Sequence, residues 1–176
     1  MSGGQTTAPG ATPEPGSTPT PPAVTLELGD VADEALRQAI VTPLVAFNTA
    51  MAGPGQGRPL VIAVRDAQGA VIGGLWGSTG YRWLFTQLLV VPEACRGTGL
   101  GRRLMGLAED EARARGCHGA WLDTFEFQAR GFYERLGYTC FGELADYPPG
   151  YRRWFMKKSL TGAGVGPGDT EPPATA

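Results

Sequence analysis

The run Trp-Leu-Phe-Thr-Gln-Leu-Leu-Val-Val beginning at Trp83 constrains this chain most. It is too apolar to have a wet face, so residues 81–91 are expected as a long strand inside the fold. Pro92-Glu93-Ala94-Cys95-Arg96-Gly97-Thr98-Gly99-Leu100-Gly101 follows at once. A helical pattern then extends to about Arg115, with Leu100, Leu104, Leu107, Ala108 and Ala112 on one face. Gly116 stands where a helix end takes a left-handed residue. A buried strand, a glycine-rich turn and an amphipathic helix therefore succeed one another.

The whole chain of 176 residues has single-domain length. Residues 1–23 hold six prolines, four glycines and five threonines, with Glu14 the only charge, and residues 161–176 are similar. Such stretches bury too little to offset the entropy of ordering them. Both are expected as disordered tails around a domain at 24–160. Fifteen basic against 17 acidic residues, a formal net charge of −2, argue against nucleic-acid or anionic-membrane binding. No apolar run of 18 residues exists, and no basic segment leads into an apolar one at the N-terminus. A cytoplasmic protein is the expectation. Cys95, Cys117 and Cys140 are odd in number and widely spaced, which speaks against a disulfide framework, and the single His118 leaves no metal-ligand cluster.

Alternation at Val24, Leu26 and Leu28 predicts a first strand. Leu36 and Ile40 predict a helix over 31–41, with Thr42 capping a second helix that has Pro43 at its first position. Strands at 60–65 and 70–76 around Asp66-Ala67-Gln68-Gly69 form a hairpin, and 77–80 turns the chain again. After the central helix come a strand at 121–124, a helix at 128–136 ended by Gly137, and strands at 139–144 and 152–158. That order is α+β with a mixed sheet.

In the turn, glycines let a ligand approach the backbone, and the helix behind offers unpaired N–H groups and a positive dipole end. A phosphate or pyrophosphate is the expected guest, with Arg96 and Arg102 at the sides. The spacing is G-x-G-x-G, not that of a dinucleotide loop, and no Lys-Ser or Lys-Thr follows as in a nucleoside-triphosphate loop. A tight turn with no ligand is the other reading.

Some thirty residues on stands Gly131-Phe132-Tyr133-Glu134-Arg135-Leu136-Gly137-Tyr138. Together the segments resemble the GCN5-related N-acetyltransferase (GNAT) superfamily. Its phosphate loop, Arg/Gln-x-x-Gly-x-Gly/Ala, is matched by Arg96, Gly99 and Gly101, and its last helix, Phe-Tyr-x-x-x-Gly-Phe/Tyr, by Phe132, Tyr133, Gly137 and Tyr138. Leu-Asp-Thr-Phe-Glu-Phe-Gln-Ala at 122–129 is similar to bacterial small-molecule acetyltransferases of that superfamily.

The resemblance covers essentially all of 24–160. It implies a mostly antiparallel sheet of about six to seven strands and about four helices. Its fourth and fifth strands, here 81–91 and 121–124, would part into a V. It also implies acetyl-CoA as donor, a small-molecule primary amine as acceptor and direct transfer; with a single histidine, no metal is expected. The cofactor arm would pair with Leu89, Val90 and Val91. The pyrophosphate would rest on Gly97, Thr98, Gly99, Leu100, Gly101 and Arg102, beside Arg96. Gln128 stands where many members have Asn to hold the arm, and Tyr133 occupies the general-acid position. On a helix Ala129 and Tyr133 share one face, and the small Ala129 leaves room for the cofactor.

The amine must be neutral to attack, and a free alkylamine has a pKa near ~10, so a base or a water chain is needed. Thr86 and Gln87, on the strand where some members carry a carboxylate, are not basic. Glu126 is the first candidate, with Asp123, Glu143 and a water chain as alternatives. Trp76, Trp83, Trp121 and Trp154 are expected in packing, although Trp76 and Tyr147 are alternatives as acceptor-pocket residues, and the loop 145–151 as a specificity element. His118 is expected as a loop residue. Cys95 has no nucleophile context, and Arg152, Arg153, Lys157 and Lys158 read as a solvated strand edge. A protein or peptide acetyltransferase and a non-catalytic acyl-CoA-binding module are the rival functions. A nucleotide-binding redox protein is disfavoured by the glycine spacing, and a homodimer is left open.

Overall fold

A computed structural model describes residues 24–161; the tails expected at 1–23 and 161–176 therefore lie, except for Thr161, outside the described residues. The chain divides into two units after Ala39. In the first, residues 24–30 form no regular element, and Val24, Leu26 and Leu28 are fully or nearly fully exposed. The strand expected at 24–28 is thus absent: alternation marks a face, but a strand also needs a neighbour to take its N–H and C=O groups. Helix α1 (Glu34–Ala52) begins where Asp33 Oδ1 accepts the Ala35 N–H at 2.8 Å. The break expected at Pro43 does not occur, and the proline lies inside the helix. Proline forfeits one backbone hydrogen bond but its fixed φ suits the helix, and the helix continues on both sides of it.

In the second unit six strands form one sheet in the order β1-β2-β3-β4-β6-β5. They are β1 (Arg58–Arg65), β2 (Val71–Gly80), β3 (Trp83–Val90), β4 (Gly119–Phe125), β5 (Thr139–Leu144) and β6 (Arg153–Ser159). The β3–β4 pair is parallel and the others are antiparallel. The Asp66 carboxylate closes the β1–β2 turn by accepting from the Gln68 and Ala70 N–H groups. The next turn is not at 77–80, because β2 continues through Gly80. Tyr81 and Arg82 make it instead, both at positive φ (47° and 62°), the backbone that a two-residue hairpin requires.

Helix α2 (Leu100–Ala114) buries Leu104 and lays Met105, Ala108 and Ala112 on one face of the sheet, against a core that includes Leu60, Leu75, Leu84, Leu122 and Met156. Each buried leucine or methionine side chain contributes roughly 1.5–3 kcal/mol by leaving water. Leu107, expected on that face, is exposed, and Glu109 is turned inward instead. Helix α3 (Arg130–Arg135) is shorter than expected and is stopped by Gly137 at φ 89°. The described residues hold three α-helices and a one-turn 3-10 helix at Glu93–Cys95. None is long and apolar enough to cross a membrane.

Candidate active site

The central feature is where β3 and β4 stop pairing. Their parallel register runs from Trp83↔Gly119 to Thr86↔Leu122 and ends there, although both strands continue. On its other edge β3 carries a bulge: Trp76 pairs with Leu88 and Gly77 with Thr86, leaving Gln87 as the extra residue. A bulge bends and twists its strand, which turns the end of β3 away from β4. The parting opens a cleft of about 1010 Å³, lined by the ends of both strands, the glycine turn and the start of α3.

The turn forms one wall. Gly97 and Gly99 take φ of 77° and 85°, and Gly99 caps α2. Thr98 Oγ1 donates back to the Cys95 carbonyl at 2.8 Å, which ties the loop down. Among the described residues no backbone carbonyl accepts from the N–H groups of 97–102. Arg96 and Arg102 line the cleft with Gly97, Gly99, Leu100 and Gly101, whereas Thr98 does not. This wall offers main-chain donors, two guanidinium groups and a helix N-terminus, a set suited to a polyanion.

Opposite it, Leu89, Val90, Val91, Gln128, Ala129 and Tyr133 also line the cleft. Ala129 precedes the helix, yet its carbonyl accepts from Tyr133 N–H at 3.3 Å, so the two residues stack as on a helix. The Gln128 Oε1 is taken by the Phe125 N–H at 2.9 Å and the Thr124 hydroxyl at 3.2 Å. Tyr133 is 8% exposed, edge-on to Phe132 and Tyr138. Burial, and secondarily the negative charge of Asp123, push its phenol up to about 12.

The three carboxylates separate. Asp123 lines the cleft and is bound by Arg153, whose Nε lies 2.7 Å from Oδ2. Glu126 is not in the lining; its Oε2 accepts the Arg152 N–H at 3.1 Å. Glu143, also outside it, accepts from Arg152 and from the Trp154 indole. Beside the cleft Phe125 stacks on Phe127, Tyr151 meets Phe127 edge-on, and Arg153 lies over Phe125 and Tyr147. Phe127 lines the cleft and is largely exposed. Trp76 and Tyr147 lie outside the lining.

Phe127 and Thr86 are among the lining residues that had no role in the sequence reading. Phe127 carries no signal beyond being aromatic. Thr86, read only as non-basic, is 4% exposed, and its Oγ1 has no hydrogen-bond partner among the described residues. Such an orphan costs about 1–3 kcal/mol. Its sequence signal is a hydroxyl in an otherwise aliphatic and aromatic run.

His118 stacks edge-on with Trp83, and its main chain links Arg82 to Leu160. Trp154 is buried, and Trp121 stacks on Phe85 at 3.8 Å. Arg152 and Lys158 pair with carboxylates as Arg153 does, and Lys157 lies near the Phe141 ring. The three cysteines are free, and no group of three or more potential metal ligands occurs among the described residues.

Residues 32–138 match the Acetyltransferase (GNAT) family. The chain is 45% identical over 131 residues to acetyltransferase Atu2258 of Agrobacterium fabrum, spanning 74% of this chain and 96% of that protein. It is 37% identical over 137 residues to the blasticidin-S acetyltransferase of Streptomyces morookaense, spanning 76% and 93%. A crystal structure from Agrobacterium tumefaciens superposes with a TM-score of 0.74 at 43% identity, covering 77% of this chain and 99% of the other. With its parted parallel strands and glycine turn, the chain belongs to the GNAT family of acetyltransferases and is an acyltransferase of the N-acetyltransferase kind.

Proposed function

We propose that the chain moves an acetyl group from acetyl-CoA to the primary amine of a small molecule in one direct step. The observation that carries this is the single cleft joining the β3–β4 parting to a turn whose N–H groups at 97–102 have no backbone acceptor among the described residues. The pyrophosphate rests on those N–H groups between Arg96 and Arg102. The arm runs along Leu89, Val90 and Val91 as an added strand-like segment, and Gln128, with its oxygen already occupied, turns its amide hydrogens to it.

The amine nitrogen attacks the thioester carbon and the carbonyl becomes an oxyanion, which main-chain N–H groups near the end of β3 stabilise. Collapse of the oxyanion breaks the C–S bond. Tyr133, a phenol still protonated at neutral pH, gives its proton to the departing sulfur. The proton lost by nitrogen goes to Asp123 or to a water it holds. Asp123 replaces Glu126 in that role because it lines the cleft. The acceptor lies against Phe127 and Tyr151. The relative named for blasticidin S, similar over 76% of this chain, favours a small acceptor over a protein.

The test is calorimetry with CoA, followed by acetyl-CoA with a panel of small amines while free thiol is monitored. Heat with CoA and thiol release with an amine are expected. No heat overturns the reading; heat with CoA but acetyl transfer to peptides alone moves the acceptor to proteins.

A further inference from the structure

Thr86 is the last residue of β3 to pair with β4, opposite Leu122, and it directly precedes the bulged Gln87. Its side chain shares the buried face of the sheet with Leu84, and the residue borders the cleft. The other buried threonine at this vertex, Thr124 of β4, is satisfied by Gln128 at 3.2 Å, whereas Thr86 Oγ1 has no partner among the described residues. A position that needed shape alone would be served better by valine, because a hydroxyl with no protein partner gains nothing over a methyl group. The orphan therefore stands at the point toward which the two strands converge, on a residue that lines the cleft.

On the acyl-CoA reading above, an arm anchored at the glycine turn and laid along the end of β3 brings its far end to this vertex. That end consists of a sulfur, an acyl carbonyl and a methyl group. Of these the carbonyl oxygen is the strong hydrogen-bond acceptor. We propose that the Thr86 hydroxyl donates a hydrogen bond to the acyl carbonyl oxygen of the donor thioester, holding the acyl group at the vertex and distinguishing acylated from free coenzyme A. The Thr86 proton stays on Oγ1 throughout. The bond strengthens as the carbonyl oxygen gains charge during attack.

The experiment compares the wild type with Thr86→Val and Thr86→Ser. Thermal midpoints, calorimetric affinities for CoA and acetyl-CoA, and the infrared stretch of a carbon-13-labelled acetyl carbonyl in the bound donor are measured. Thr86→Val should melt at the wild-type temperature or above and bind CoA within about twofold of wild type. Its preference for acetyl-CoA over CoA should drop about three- to tenfold, the equivalent of one ordinary hydrogen bond. The bound carbonyl stretch should rise toward its value in free solution, and Thr86→Ser should restore both. An unchanged preference and stretch in Thr86→Val, with the wild type binding both ligands, overturns this inference and leaves the acyl-CoA reading intact. Joint loss of melting temperature and of both ligands also overturns it, since Thr86 is then structural. A wild type that binds neither ligand overturns the inference and the reading together.

Discussion

At Tyr133 one side chain serves both packing and chemistry. Its ring is held edge-on between Phe132 and Tyr138, and the residue lines the cleft. Because burial and Asp123 push the phenol up to about 12, the group is a proton donor across the whole neutral range. Tyr133→Phe keeps the ring and removes the proton. Turnover should fall about a hundredfold or more, as for loss of a general acid, while CoA affinity measured by calorimetry stays nearly unchanged. Unchanged turnover removes the assignment. The same shift sets a sign for stability. An unfolded tyrosine titrates near ~10, so between pH 10 and 12 the folded chain keeps a proton that the unfolded chain releases. Stability from this group is therefore full below pH 10 and declines as pH rises through 12, by roughly 2–3 kcal/mol. Tyr138, raised by burial and by Glu109, acts in the same direction. Urea midpoints at pH 9 and pH 11.5 should differ less in Tyr133→Phe than in the wild type.

Among the elements, the turn before α2 depends on backbone shape more than on side chains. Gly99 caps the helix at φ 85°, and a Cβ placed there meets nothing within 4 Å. Gly99→Ala is thus a test of conformation without a clash. The left-handed backbone costs a non-glycine residue about 1–2 kcal/mol, so the melting temperature should fall a few degrees. If the turn relaxes to negative φ, its N–H groups rotate out of the cleft, and CoA affinity should fall tenfold or more by calorimetry. Gly106→Ala, inside α2 and equally unobstructed, is the control: it should stabilise the helix and leave CoA binding alone. An equal loss of affinity in both variants would refute the assignment to this turn. This turn was legible in the sequence because glycine spacing and the apolar run before it are local signals. The β2–β3 turn was not. Gly77–Gly80 look like a turn, but Gly77 is there because the Phe85 carbonyl crosses within 2.4 Å of where its Cβ would be. Tyr81 and Arg82, with no turn signature, take the left-handed backbone instead. For Pro43, local propensity predicted a break that the rest of α1 overrides.

At the scale of the molecule, the order in which strands meet is set by distant pairings. No short pattern showed β6 lying between β4 and β5, although the family resemblance implied the parting of β3 from β4. The same limit hid Glu109. By helical spacing Leu107 belonged on the buried face, yet Glu109 is the side chain turned inward, at 4% exposure. It accepts from the Lys158 ammonium of β6 and from the Tyr138 hydroxyl at 3.1 Å, with Arg113 at 3.5 Å. One carboxylate thereby ties α2, the segment between α3 and β5, and β6 together. Glu109→Ala leaves Tyr138 and Lys158 unpaired in the interior. Removing one partner of a buried pair costs about 3–5 kcal/mol, and water reaching the partly exposed Lys158 lowers the expected loss to about 2–3 kcal/mol. The urea midpoint should fall with the slope unchanged. Glu109 does not line the cleft, so CoA affinity of the folded variant at low temperature should stay within about twofold. The double variant Glu109→Leu with Lys158→Met replaces the charges by apolar groups and should recover most of the loss. A wild-type midpoint in Glu109→Ala would show that this carboxylate does not hold the two halves of the sheet's helical face together.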